Sequence, residues 1–368
     1  MKFLDAYRRN PNFPNRYIPP AGLAEFLQDN LSDYSRIIGK SVRGRPIYLT
    51  SFGKGPIRIL AWSQMHGNES NSTHAMLDML ETFKHHPLLH SKLYSQISLD
   101  FIFMLNPDGS ETWERRNAQD LDMNRDFLKL ETAELPLLKD IALTGNYDYA
   151  LNLHEQRTIF TTDGTNPATL SFLSPSVSTN REITDVRRKS MAVIAAVYSQ
   201  LNIDLPNQIG RYTDEFYPSS VGDNLSKAGL PTILFEGGYY PDDPLRQVSR
   251  KYYTVALYEA LSAIARLNGA VDGFEKYFEI PENRETHYDH IYRNVRLNTP
   301  FECILDIAVQ NREIYRTGDD EISFVPIVAA VGDCKGKKGW KETDCSGREF
   351  RSASVYPKVD EEVQFEIV

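Results

Sequence analysis

The stretch QMHGNES, residues 64–70, puts His66 and Glu69 three residues apart with Gly67 between them. An imidazole and a carboxylate at that spacing on a tight turn can face one cation, with Gly67 easing the turn. The same pair also decorates ordinary solvated turns, so its meaning depends on partners elsewhere in the chain. Those partners stand at the ends of apolar runs. ISLDFIFMLN (97–106) leads into Asn106 and Asp108, YDYALNLH (147–154) ends in His154, and PTILFEGG (231–238) carries Glu236. Two histidines and one glutamate are a ligand set that suits catalytic zinc and leaves a position open for water or a substrate oxygen. His66, Glu69 and His154 are the candidate set. Hydrolysis then needs a base to take a proton from water, and Glu236 is the available carboxylate. Its plainer use is to cap the glycine turn that follows.

Bringing these groups together requires a particular architecture. PIRILAWSQ (56–64) is a short apolar run, and STHAMLDMLETF (72–83) follows with Met76, Leu77, Leu80 and Phe83 at helical spacing. Strand, loop and helix therefore succeed one another, and the runs at 97–106, 147–154 and 231–238 repeat the form of a buried strand with a polar or glycine-rich end. Helical stretches at 185–202 and 246–268 separate them. The alternation predicts an α/β domain with a mixed, largely parallel central sheet flanked by helices. In such a sheet, ligands bind beyond the carboxyl ends of the strands, where His66, Glu69, His154 and Glu236 all fall. Residues 161–180, rich in Thr, Ser, Pro and Asn, read as a long loop. After about residue 273 the texture changes to short β-rich segments such as ECILDIAVQ and EISFVPIVAAV, which predicts a catalytic unit over 1–273 and a small β-sandwich over 274–368.

Composition excludes several functions. The chain has 368 residues, 41% of them hydrophobic, enough to bury a sizeable core. A net charge of -9 and the lack of any sustained basic run argue against nucleic acid and anionic membrane surfaces as partners. No stretch approaches the roughly 20 apolar residues of a membrane helix. With no leader at its amino end, the chain is expected to be soluble and cytoplasmic, although a chain trimmed of a leader would read the same way. The 3 cysteines make no disulfide framework, and Cys334 and Cys345 are expected to be reduced thiols. His85, His86 and His90 in KHHPLLH are expected to be solvated rather than a second metal site. His74 is expected to be a surface or satisfied residue, and His287 and His290 a fortuitous pair.

One stretch remains, NPDGSETWERRNAQDLDMNRDF (106–127), dense in Arg, Asn and Asp. A planar guanidinium with a neighbouring amide can grip a free carboxylate in two places, which Lys does not match. A second Arg near a metal could stabilise a developing oxyanion. Taken together, HGNE, NPDG, RRNAQDLDMNRDF, LNLH and LFEGG, in this order over residues 40 to 268, resemble the zinc metallocarboxypeptidases of the carboxypeptidase A and B type. The resemblance implies zinc held by His66, Glu69 and His154, and a zinc-activated water with Glu236 as its general base. It implies that Asn124 and Arg125 hold the substrate's terminal carboxylate, that Arg115 polarises the scissile carbonyl, and that Asp122 orients a zinc-binding imidazole. It also implies a tyrosine that closes over the substrate, Tyr217 or else Tyr212. The position that sets side-chain preference falls near Gly222 or Asp223. The implied partner is a peptide or acylated amino acid with a free C-terminal carboxylate. The alternatives are a related amidohydrolase acting on N-acyl amino acids or cell-wall peptides, and a binding protein on the same fold.

Overall fold

The computed structural model describes residues 2–368. Its centre is an eight-stranded mixed sheet. In chain order the strands of the first part are β1 (Ser35–Lys40), β2 (Pro46–Gly53), β3 (Ile57–Trp62), β4 (Ile97–Phe103), β5 (Tyr149–Glu155), β6 (Phe160–Thr161), β7 (Leu170–Leu173), β8 (Ile209–Arg211) and β9 (Thr232–Gly237). The sheet order is β1-β2-β4-β3-β5-β9-β7-β8, with β6 outside it. The middle strands β4, β3, β5 and β9 run parallel, and the β1–β2, β2–β4 and β7–β9 pairs are antiparallel.

Strand alternation sorts the side chains to two faces. In β5, Tyr149, Leu151 and Leu153 join a core with the helices Asn71–His85, Asp185–Leu201 and Gln247–Leu267. Ala150 joins the opposite core, with Met123, Leu135 and Leu138 of the helix Leu135–Thr144, and Val221 and Leu225 of the helix Val221–Lys227. Asn152 and His154 share the parity of Ala150, so successive residues His154 and Glu155 point to opposite faces. Glu236 in β9 pairs in register with His154, which places the two side chains next to one another on the same face.

The segment 161–180, read as one long loop, instead contains β7. Leu170 and Phe172 are fully buried, and Phe172 meets Phe235 of β9 edge-on, so two apolar residues suffice to recruit this short segment into the sheet. Its polar flanks hid it.

The carboxyl-terminal strands are β10 (Arg284–Glu285), β11 (His287–Arg296), β12 (Ile304–Ile314), β13 (Ser323–Gly332), β14 (Lys338–Asp344), β15 (Phe350–Ser352) and β16 (Phe365–Ile367). They form a small β unit: a four-stranded sheet of order β13-β12-β11-β14 and a β15–β16 pair. The short β10 pairs with β6 of the first part. Cys303, Cys334 and Cys345 are free thiols. Among the described residues no helix is long and apolar enough to cross a membrane.

Trp340 of β14 docks this unit on the first. Its indole Nε1 donates to the Thr158 carbonyl at 2.8 Å, and its ring stacks on Tyr239 and His287, with centroids 4.6 and 4.0 Å away. Burial pushes the His287 imidazole down to about 4, with Lys338 adding to the effect and Glu342 opposing it. The unfolded chain, in which the ring titrates near ~6.5, therefore binds the proton more readily than the folded one. The contribution of His287 is complete above pH ~6.5 and declines as the pH falls toward 4. Thermal unfolding across that range should show the parent losing stability relative to His287→Phe, which keeps the stack and cannot protonate.

Candidate metal centre

The loop after β3 is set by stapling. Gln64 has a left-handed backbone, φ 46°, and its Nε2 donates to the Gly67 carbonyl and to Ser110 Oγ, both at 3.0 Å. Thr73, in the following helix, donates to Gln64 Oε1 at 2.6 Å. Gly67 was expected to ease the turn, but it is absent from the positive-φ positions and its use is different. A Cβ there would lie 2.1 Å from the Gly109 carbonyl carbon and 2.2 Å from Ser110 N, so the loop passes directly against a neighbouring backbone. That neighbour is the short helix Pro107–Thr112, capped by Asn106, whose Oδ1 accepts from Gly109 N at 2.9 Å. Asp108 turns away and accepts from Ser41 Oγ, Arg43 N and Arg45 Nη1 at 2.7–2.9 Å. Asn106 and Asp108 thus build the loop and do not enter the metal group.

His66, Glu69 and His154 do come together: one ligand atom from each lies within 4.8 Å of the others, and all three residues are buried. His66 Nδ1 stands 2.8 Å from Glu69 Oε1, His154 Nδ1 stands 2.9 Å from Glu69 Oε2, and the two Nδ1 atoms are 3.1 Å apart. His66 Nε2 is 3.0 Å from Asp122 Oδ1. A proton on that Nε2, the tautomer this contact favours, leaves the Nδ1 lone pair facing the other two ligand atoms. Three electron-rich atoms then share one small buried volume, which a cation resolves. Three carboxylates, Glu69, Asp122 and Glu236, face one guanidinium, Arg115, so the local charge also suits a dication. The residues present fit zinc. His154 Nε2 is buried without a partner, so the ring is oriented by strand β5 and by its Nδ1 contact to Glu69.

The electrostatics follow from burial and proximity. Burial by itself would raise Glu69, yet the imidazoles of His66 and His154 hold it well below the usual carboxylate range. Burial would lower His66, but Glu69 and Asp122 outweigh it and raise the ring. His154 is lowered, by burial first. Glu236 is pushed well above its ordinary value by burial and then by the nearby Glu69, and its Oε2 is buried without a partner.

Arg115 donates through Nη1 to Glu69 Oε1 at 3.1 Å and through Nε to Asp122 Oδ2 at 3.2 Å, while Arg116 turns outward to Asp120. Asn117 is turned away, donating to Glu134 Oε2 at 3.0 Å and so holding the loop. Asn124 Oδ1 accepts from Val221 N at 3.1 Å. The exposed Arg125 guanidinium lies 4.7 Å from the centre of the Tyr217 ring, itself exposed. Tyr212 sits deeper, its phenol pushed well above the usual range by burial and then by Glu236. The two tyrosines thus flank different parts of the cleft, Tyr217 at Arg125 and Tyr212 near Glu236.

Residues 23–160 match the family model described as zinc carboxypeptidase. Over these residues the chain is similar to the zinc carboxypeptidases. The match supports a hydrolase acting on peptide bonds, and it spans His66, Glu69, Arg115, Asp122, Asn124, Arg125 and His154. Glu236 lies beyond it and reaches the candidate metal site through the β5–β9 register. Solved structures share the fold. A metallo-carboxypeptidase from Burkholderia cenocepacia is 15% identical with TM-score 0.54, covering 67% of this chain and 69% of that one. A putative carboxypeptidase A from Shewanella denitrificans is 16% identical with TM-score 0.54, covering 68% and 70%. Bovine thrombin-activatable fibrinolysis inhibitor, in complex with tick carboxypeptidase inhibitor, is 16% identical with TM-score 0.52, covering 69% and 97%. No curated protein matches the chain in sequence.

The remaining histidines stay apart from this candidate metal centre. His85 meets Glu81, His90 packs edge-on against Phe83 and Tyr94, and His290 meets Thr343. His74 is more buried than its sequence context suggested, with Nε2 3.1 Å from the Arg16 carbonyl. Arg16 and Arg246 carried no local signal, because each reaches the centre's surroundings from a segment with no motif of its own.

The glycine contact gives a direct test. Gly67→Ala should lower stability by about 1–3 kcal/mol through overpacking against Gly109 and weaken zinc binding at the same time. Denaturant unfolding and a zinc titration read the two effects.

Proposed function

We propose that this protein is a zinc-dependent metallocarboxypeptidase that hydrolyses the C-terminal peptide bond of peptides, with Glu236 as general base. The observation that carries the reading is the convergence of His66, Glu69 and His154 within 4.8 Å beside an unpartnered Glu236 oxygen. Zinc in that group supplies Lewis acidity, lowering the pKa of water and polarising a carbonyl.

The chain's own residues do the rest. Asp122 fixes the His66 ring so that Nδ1 faces the metal position. Glu236 Oε2 takes the proton from the attacking water and returns it to the departing amine, a shuttle its free oxygen and its place beside His154 permit. Arg115, charged at every working pH, stabilises the oxygen of the scissile carbonyl as charge builds on it. Asn124 and Arg125 hold the terminal carboxylate, and Tyr217, resting on Arg125, closes over it. The same clamp would serve an N-acyl amino acid, so the substrate class is defined by its free carboxylate.

The leaving residue's side chain has a candidate seat. Asp223 is buried with Oδ1 unpartnered, and both side-chain polar atoms of Asn152 are buried and unpartnered. Gly222 keeps this ground open: a Cβ there would sit 3.9 Å from Asn152 Nδ2 and 3.1 Å from Pro175. Burial raises Asp223 to about 6, while Arg125 nearby pulls the other way. Two of these atoms, Asp223 Oδ1 and Asn152 Oδ1, are acceptors, and they favour a side chain that donates hydrogen bonds, such as that of Lys or Arg.

Four measurements test the function. The purified protein should contain zinc, lose activity on chelation and regain it with added zinc. Glu236→Gln should keep its zinc and lose about 10²–10⁴-fold in kcat; a parental rate in that variant would remove Glu236 from the mechanism. The parent should cleave peptides with free C-termini and spare amidated ones, and equal cleavage of both would overturn the clamp. Among free peptides, Asp223→Asn should reduce the preference for Lys and Arg over Leu.

A further inference from the structure

Behind the metal group, on the face opposite His154, four charged side chains lie packed together. Arg16 Nη2 is 3.2 Å from Glu155 Oε2, Arg246 Nη1 is 3.3 Å from the same oxygen, and Arg16 Nη1 is 2.6 Å from Glu313 Oε1. The side chains of Arg16, Glu155 and Arg246 are 2%, 2% and 7% exposed. Glu313 comes from β12 of the carboxyl-terminal unit, and its second oxygen accepts from Trp113 Nε1 at 3.1 Å.

Three of the four touch backbone that carries the site, and Glu313 reaches it through Arg16. Glu155 follows the ligand His154; its N–H donates to Glu69 Oε2 at 3.1 Å, and its Oε1 accepts from Asn71 N at 2.5 Å. Arg246 donates to the Gly237 and Gln156 carbonyls at 2.7 and 2.8 Å, joining the ends of β9 and β5. The Arg16 carbonyl accepts from Ser70 Oγ, next to Glu69, at 2.8 Å. The cluster therefore holds the ligand-bearing loop and the two strands that carry His154 and Glu236.

Two carboxylates of the carboxyl-terminal unit reach Arg16: Glu321 accepts from the Arg16 and Tyr17 N–H groups at 2.7 and 3.2 Å, and Glu313 is the one paired with the guanidinium itself. Within the first part of the chain, two guanidinium groups face one carboxylate, Glu155, which leaves one buried positive charge behind a site built for a dication. Glu313 cancels it. A buried charge left without its partner is strongly destabilising and would repel the metal through a poorly screened interior.

We propose that Glu313 is a positioning residue of the metal centre, supplied by the carboxyl-terminal β unit, which completes the charge of the Arg16–Glu155–Arg246 cluster and thereby sets zinc affinity. This rests on the zinc reading above. It gives that unit a part in the reaction: without it the centre lacks one of its supporting charges.

The test uses the full-length protein, titrated with zinc against a competing chelator, with thermal unfolding as the check on folding. Glu313→Gln, which keeps the shape and loses the charge, should fold and bind zinc about ten-fold or more weakly. Glu313→Asp should recover most of that affinity. With zinc saturating, Glu313→Gln should lower kcat and leave KM near parental, because Glu313 meets no substrate. Glu349→Gln, a carboxylate of the same unit paired with Arg296, should match the parent throughout. Parental zinc affinity in Glu313→Gln, or an equal loss in Glu349→Gln, overturns the proposal. If Glu313→Gln does not fold, the neutral pair Arg16→Met with Glu313→Leu decides: it should retain parental zinc affinity, and a loss as large as ten-fold overturns the charge argument. A parent that binds no zinc sinks the metal reading itself, whereas a zinc-binding parent matched by Glu313→Gln sinks only this inference.

Discussion

Two imidazole nitrogens 3.1 Å apart, with the two oxygens of Glu69 at 2.8 and 2.9 Å from them, make an arrangement that neutral packing does not favour. All are buried, and with the His66 proton on Nε2 beside Asp122, its Nδ1 lone pair is turned toward the other two groups. Unpaired polar atoms in a protein interior cost free energy, so such a convergence persists only where the surrounding structure holds it. Much of the fold is arranged to hold it. The β3–helix loop is stapled by Gln64 and pressed against Gly109, His154 rides on a fully buried strand, and Asp122 locks the His66 ring from the far side.

The alternation of β5 divides the labour. His154 faces the metal group, and the next residue, Glu155, faces the opposite side and enters the Arg16–Arg246–Glu313 cluster. One strand thus carries a candidate ligand on one face and its anchor on the other. The cleft side also has its order: Arg115 leans on Glu69 and Asp122, while Arg125 remains exposed beneath Tyr217. An arginine already paired to the carboxylates stays near the reacting position, and one free of them remains available to a carboxylate arriving from solvent.

Much of this architecture is legible in the sequence. The apolar runs at 56–64, 97–106, 147–154 and 231–238 correspond to β3, β4, β5 and β9, because central strands buried on both faces are mostly apolar and short. The edge of the sheet is harder to read. β7 is four residues in a segment rich in Thr, Ser and Pro, and β1 has only half-buried or exposed residues, so neither shows the apolar run of a central strand. Gly67 illustrates a different limit: its importance was visible, but its reason, a backbone passing over Gly109, concerns two segments forty residues apart.

The sequence by itself determined the chemistry on offer. Histidine, glutamate and arginine types at strand ends, in a fixed order, restrict the centre to a small set of reactions, because ligand softness and charge belong to the side chains themselves. Only the tertiary structure decided which of those groups share a volume. It turned Asn106 and Asp108 to loop building, set Tyr212 and Tyr217 in different parts of the cleft, and brought Arg16, Arg246 and Glu313 from three distant segments to one buried cluster. The physical reason is that a buried charge must be balanced in space, wherever along the chain its partner lies, and no local pattern records such a long-range balance.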